Sequence, residues 1–176
     1  MRTLYTIAYP ELPVEARRLV EHVRAPHDPQ HGIVGAHFTL LFGSAALEQT
    51  VYTDHVRDVA LQASPIRFVC RRAVTVADLA APSTHVYLVP DEGFEAILRL
   101  HDRLYSGPMA AQRRTDLAYL PHITVATKVN LRAAQALCDE LGAVGIDVAG
   151  RLDRLTIGTL QEGRFLELSH HALAAV

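Results

Sequence analysis

The sequence has no tryptophan, two cysteines and two methionines in 176 residues, and aromatic side chains make up only 6% of it. With so few rings, extended aromatic platforms for single-stranded nucleic acid are not expected. Cys70 and Cys138 are far apart and outside any Cys-x-x-Cys arrangement. That excludes a disulfide framework and a cysteine-based zinc site, and fits a reducing compartment. An excess of one charge is also missing: 17 Lys+Arg stand against 19 Asp+Glu, a formal net charge of -2. A protein that coats nucleic acid or anionic lipid would be far more basic, although a local phosphate pocket is still permitted. No apolar run approaches the roughly 18 residues of a membrane span. The opening stretch, MRTLYTIAYPE, lacks the apolar core and cleavage site of a secretory signal. A cytoplasmic monomer without membrane contact is the expectation. What is present is a 49% hydrophobic complement, enough for a core without disulfides, and ten histidines.

The order of apolar patterns repeats along the chain. Leu4–Tyr9 reads as a strand stopped at Pro10, Val14–Arg24 as a helix, Gly35–Phe42 as a strand, Leu47–Ala63 as a helix and Ile66–Val76 as a strand. The pattern restarts with Thr84–Val89 and Pro90. Asp91 is positioned to cap a helix carrying Phe94, Ile97, Leu98, His101 and Leu104. A strand over Tyr119–Lys128 and a helix capped by Asn130 follow, then two strands, Val148–Gly158 and Arg164–Leu173. Self-similarity of this kind decides architecture. The reading is one α+β domain over 1–176, with an internal repeat of about 1–78 and 84–173. Two pseudo-symmetric lobes, each an antiparallel-type sheet covered by helices, would enclose a central cleft.

The corresponding middle strands each carry His-x-Thr: His37-Phe38-Thr39-Leu40 and His122-Ile123-Thr124-Val125. Residues i and i+2 of a strand share a face. Each strand therefore offers an imidazole and a hydroxyl together, backed by an apolar face. Composition alone would give about 0.7 such matches, so the weight lies in their equivalent places in the repeat. General acid–base chemistry needs a base to take one proton and an acid to deliver another. Two imidazoles suit both tasks near neutral pH. Thr39 and Thr124 place hydroxyl donors beside them, suited to holding an anionic group such as a phosphate, and no metal or cofactor is called for.

This paired pattern resembles the 2H phosphoesterase superfamily, which includes bacterial 2′-5′ RNA ligase-like proteins and RNA 2′,3′-cyclic phosphodiesterases. The likeness covers essentially the whole chain, and Leu-Pro-His-Ile-Thr at 120–124 is similar to the family's second motif. It implies a metal-independent phosphodiesterase acting on a 2′,3′-cyclic phosphate or 2′-5′ linkage of an RNA end or nucleotide, typically leaving a 2′-phosphate. His37 and His122 would divide the acid and base roles. Many ligase-like members carry an Arg shortly after the second Thr. Here the segment is Ala126-Thr127-Lys128, and Lys128 offers a charge without a bidentate fork.

Tyr87, Arg67 and Arg71 are secondary candidates for substrate contact: Tyr87 by stacking on a base, the arginines by meeting phosphate. Arg113 and Arg114 belong in the same group. His22, His27 and His31, with Asp28, are read as a solvated loop rather than a metal site. His101 is read as a core or boundary residue of its helix. Two other readings stand beside the enzyme: a non-catalytic module that binds RNA or nucleotide in the same cleft, and an interaction domain in which the motifs are structural.

Overall fold

The computed structural model describes residues 2–78, 82–115 and 118–174, except for the side chain of Lys128. Among the described residues, eight strands and four helices follow in the order β1 (Leu4–Ala8), α1 (Val14–His27), β2 (Phe38–Ser44), α2 (Gln49–Leu61), β3 (Ile66–Ala77), β4 (Thr84–Glu92), α3 (Phe94–Leu104), β5 (Ile123–Val129), α4 (Leu131–Ala143), β6 (Val148–Leu152), β7 (Arg154–Gln161) and β8 (Arg164–Ala172). A 3₁₀ turn at Gly107–Gln112 lies between α3 and β5. The strands form two antiparallel four-stranded sheets, β2-β1-β7-β8 and β5-β4-β3-β6. This is the α+β, two-sheet architecture read from the sequence.

The sheets do not divide where the repeat does. The first sheet takes β1 and β2 from the first half but β7 and β8 from the end of the chain. The second takes β4, β5 and β6 and, from the first half, β3. The helices exchange too: α1 packs on β5 and α3 reaches β2, while α2 covers β7 and β8 and α4 covers β3 and β4. Phe38 of β2 meets Phe68 of β3 edge to face at 5.1 Å. One hydrophobic core therefore runs through both sheets.

Local chemistry explains where the elements begin and end. Asn130 caps α4 as expected, its side-chain oxygen accepting from the Ala133 amide at 2.8 Å. Asp91 caps nothing. β4 runs through Pro90 to Glu92, and Asp91 instead receives Arg72 Nε at 2.9 Å. A register shift in β3 around Cys70, opposite Pro90, accommodates the proline's missing donor. The helix starts after Gly93, at φ +82°, where an added Cβ would lie 2.4 Å from the Arg67 carbonyl oxygen. Only glycine fits there.

The run 148–158 is two strands rather than one, broken at Asp153. Inward positions change phase across the break, from Val148 and Leu152 to Leu155 and Ile157. A one-residue phase change reverses the face a strand presents, and here it sends the chain from one sheet to the other.

Cys70 is fully buried, and burial pushes its thiol up to about 12. Cys138 is half-buried. We expect one thiol per chain, Cys138, to react with a thiol reagent at pH 8, and Cys70 only on unfolding. Fast labelling of both in the native protein would contradict this packing.

Candidate active site

Both motif histidines sit one residue ahead of their strands, His37 before Phe38 and His122 before Ile123. Freed from the ladder, each ring turns back on the chain in the same way. His37 Nδ1 donates to the Gly35 carbonyl at 2.8 Å, and His122 Nδ1 to the Leu120 carbonyl at 2.6 Å. A carbonyl can only accept, so both rings hold their proton on Nδ1 and present Nε2 as the basic nitrogen. Two residues on, Thr39 and Thr124 are half-buried.

The two motifs come from different sheets but are electrostatically coupled. Burial chiefly holds His122 down to about 4, and a positive charge on His37 or His85 lowers it further. Burial also lowers His37; the nearby Arg24 guanidinium adds to this, while the Gly35 carbonyl and Asp28 oppose it. Both imidazoles are therefore neutral at pH 7 in the unliganded protein, and an anion between them would favour protonation of one.

Tyr119 ties the motifs together. Lying three residues before His122, it donates its hydroxyl across to the Thr39 carbonyl at 2.9 Å. Its ring stacks on His101, with centroids 3.7 Å apart and planes 1° from parallel. Burial lowers the His101 pKa, which keeps that platform neutral. His101 is thus a core residue, as expected from its helical stripe, but one that supports the site.

Of the secondary candidates, Tyr87 lies at the site but not as a free stacking surface. Its ring is parallel to His122 at 3.7 Å and to His85 at 5.7 Å. It therefore steadies the imidazole and leaves little face for a base. His85 is itself held by Thr127 at 2.6 Å and by Asp78 at 3.5 Å. Arg67 and Arg71 are not brought to the histidines. The backbone of Arg67 lies in register with Arg151 of β6, and the Arg71 guanidinium is ion-paired with Glu92 at 2.7 Å and Asp147 at 3.6 Å. Both lie toward the edge of the sheet opposite β5. Arg113 pairs with Asp102 at 2.6 Å. The side chain of Lys128 is outside the described residues.

The loop of His27–Gly32 is organised by a residue that the sequence reading passed over. Arg24, 1% exposed, donates Nε to Asp28 at 3.0 Å and Nη2 to the Val34 carbonyl at 2.8 Å. Asp28, 4% exposed, also accepts the Gln30 amide at 3.0 Å. His31 turns outward to Glu21 at 2.9 Å. Asp28 and His31 are thus each engaged by a neighbour. Among the described residues, no three His, Cys, Asp or Glu side chains gather as a metal would require. No described helix is long and apolar enough to cross a membrane.

Comparison with known proteins bears on the family and the fold. The model of the 2′-5′ RNA ligase superfamily matches residues 10–164. A Bacillus licheniformis protein provisionally named a phosphoesterase is 26% identical over 109 residues, 61% of each chain, so the match spans about three-fifths of that relative. The fold is shared with the Thermus thermophilus protein TT0787 (TM-score 0.66, 19% identity, 98% of both chains). It is shared also with Escherichia coli LigT complexed with 3′-AMP (0.57, 19%, 98% of both). A third match is Usb1 of Kluyveromyces marxianus (0.58, 8% identity, 95% of this chain and 97% of that one). With nearly nine-tenths of its length matched and two His-x-Thr motifs in one two-sheet fold, the chain belongs to the 2′-5′ RNA ligase superfamily.

Proposed function

We propose that this protein is a phosphodiesterase that opens 2′,3′-cyclic phosphates of nucleotides or RNA ends without a metal. The observation that carries the reading is the matched pair of histidines, each with Nδ1–H fixed on a carbonyl two residues upstream. One Nε2 takes a proton from the attacking water. The other, protonated, gives its proton to the departing ribose oxygen as the P–O bond to that oxygen breaks. Thr39 and Thr124 hold the non-bridging oxygens, where charge accumulates. The product is a ribose monophosphate with one new hydroxyl.

The test is hydrolysis of a nucleoside 2′,3′-cyclic phosphate in excess EDTA, followed by phosphorus NMR. Turnover to a single monophosphate is expected. Tight binding without turnover would sink the enzyme reading in favour of a binding module.

The depressed histidines set the pH dependence. The reactive form needs one neutral and one protonated imidazole. With both groups below 6.5 in the free protein, that form grows as pH falls from 7. The profile of kcat/KM should therefore be a bell with its maximum below pH 6.5, its two limbs belonging to the pair. A maximum above pH 7.5 would contradict the burial of both rings.

Tyr119→Phe removes only the hydroxyl that spans from one motif to the other. A several-fold fall in kcat with little change in KM is expected, because motif spacing matters most in the transition state. An unchanged kcat would show that the spacing is fixed elsewhere.

A further inference from the structure

The two motif histidines are held alike at Nδ1 but differ in what lies against their rings. The aromatic neighbour of His37 is Tyr9, met edge-on with centroids 6.4 Å apart. His122 instead lies flat on Tyr87, at 3.7 Å with planes 16° from parallel. A single hydrogen bond at Nδ1 leaves a ring free to pivot about that bond. A flat neighbour removes the pivot.

The stack continues away from the site. Residues 85 and 87 of β4 share a face, and Tyr87 is in register with Thr124, so both rings look the same way as the motif hydroxyl. The rings of Tyr87 and His85 are 5.7 Å apart and 7° from parallel. His85 is engaged at both nitrogens, with Thr127 Oγ1 2.6 Å from Nδ1 and Asp78 Oδ2 3.5 Å from Nε2. A register shift between β4 and β5 brings Thr127 to this face, which an unbroken strand would deny to a residue three beyond Thr124. Asp78 is anchored in turn. Ser83 Oγ donates to its carboxylate at 3.1 Å, and its own amide donates to the Ser83 carbonyl at 2.9 Å. The side chains of His85 and Asp78 are only 20% and 21% exposed, which spares their contact the screening of an open surface pair. The chemistry assigned above uses neither of them.

We propose that Asp78, His85 and Tyr87 form a positioning column for His122. Asp78 and Thr127 hold the His85 ring, His85 backs the Tyr87 ring, and Tyr87 holds the plane of His122 so that Nε2 keeps one direction. The proposal rests on the phosphodiesterase reading for what His122 does with that direction. The column also carries charge. Thr127 can donate to Nδ1 of a neutral His85 or accept from a protonated one, while the Asp78 carboxylate faces Nε2 in both states. The ring therefore gains a proton without losing a partner. The groups facing the two imidazoles are Asp78 after β3, Tyr87 of β4, Thr127 of β5, the Leu120 carbonyl and His37 ahead of β2. Of these, Asp78 alone is negative. A proton on His85 disfavours one on His122, which lies less than about 10 Å away through the Tyr87 ring.

Nitrogen–proton correlation spectra of the histidine rings in the full chain test it, with His122 identified by the signal lost in His122→Gln. The carbon-bound ring protons of His122 should lie upfield, shielded by Tyr87. His85→Ala should return them at least halfway to free-histidine positions and lower kcat several-fold with little change in KM. Asp78→Ala should do part of the same, and the double variant no more than His85→Ala alone. His85→Phe restores a flat ring without a charge. The upfield position and kcat should recover, while the His122 titration midpoint rises by about 0.3 to 1 pH unit. The signal of His101, stacked on Tyr119, reports whether each variant is folded. Unmoved His122 signals in His85→Ala, or a His85→Phe that fails to recover them, would overturn the column; an unchanged midpoint in His85→Phe would overturn its charge. None of these signals needs turnover. If they behave as expected and no cyclic phosphate is opened, the phosphodiesterase reading falls and the column stands. Turnover with His122 signals unmoved by His85→Ala removes the column alone.

Discussion

His37→Gln and His122→Gln should each lower kcat/KM for a nucleoside 2′,3′-cyclic phosphate at least about a hundredfold, the lower end of what general acid–base catalysis supplies. Glutamine keeps roughly the bulk and a hydrogen-bonding end, so Tyr87 and Tyr9 retain a neighbour while the proton-transfer nitrogen is gone. The two losses should not add. Proton removal and proton delivery belong to one transition state, and once either partner is missing the other has little left to do. The double variant should sit within about tenfold of the worse single one. Each single variant should also lose one limb of the bell-shaped pH profile. Full activity in either would refute the assignment of that histidine, whatever the other does.

The second large effect lies at Arg24, and it concerns stability. Its guanidinium and the Asp28 carboxylate are both almost wholly buried, with Arg24 Nη2 2.9 Å from Asp28 Oδ2. A buried pair of this kind contributes little net stability over an apolar replacement, but removing one member strands the other charge at a cost of about 3–5 kcal/mol. Arg24→Met and Asp28→Asn should each lower the melting temperature by roughly 10 °C, given 2–4 °C per kcal/mol for chains of this size. Arg24→Met combined with Asp28→Leu should recover part of the loss. The singles should also blunt catalysis beyond their effect on folding, because Arg24 fixes the Val34 carbonyl next to Gly35, whose own carbonyl holds His37. A single variant within 1 kcal/mol of wild type by denaturant unfolding would show that water reaches the pair.

These two sites differ in how far the sequence reveals them. The histidines and threonines are legible because strand alternation is a local rule, and the repeat marks equivalent places twice. Asn130 is legible for the same reason, since a cap acts within three residues. Arg24 is not, because a basic residue late in an amphipathic helix ordinarily faces water. Here the segment after the helix folds back on it, and Asp28 and the Val34 carbonyl enclose the guanidinium. Tyr119 is missed likewise. Its partners are Thr39, 80 residues away, and the ring of His101. Tyr87 shows the limit from the other side. The sequence puts it on one face of β4 with His85, but a ring free to stack on a base and one already stacked on His122 leave the same pattern. The Asp91 cap fails because β4 continues through Pro90, which depends on the register shift in the neighbouring strand.

The exchange of strands between the halves bears on the protein's ancestry and its engineering. Cutting the chain between β3 and β4 would give two pieces, neither with a complete sheet: the first would carry β3 away from β4, and the second would carry β7 away from β1. Neither piece could be a self-sufficient module. Expressed separately, they should remain unfolded alone and regain structure only when mixed. A duplicated ancestor of this architecture would have had to work as an intertwined pair before its genes fused. The same interlacing makes the spacing of the two motifs a property of the whole weave, so the cleft cannot hinge open by parting one half of the sequence from the other.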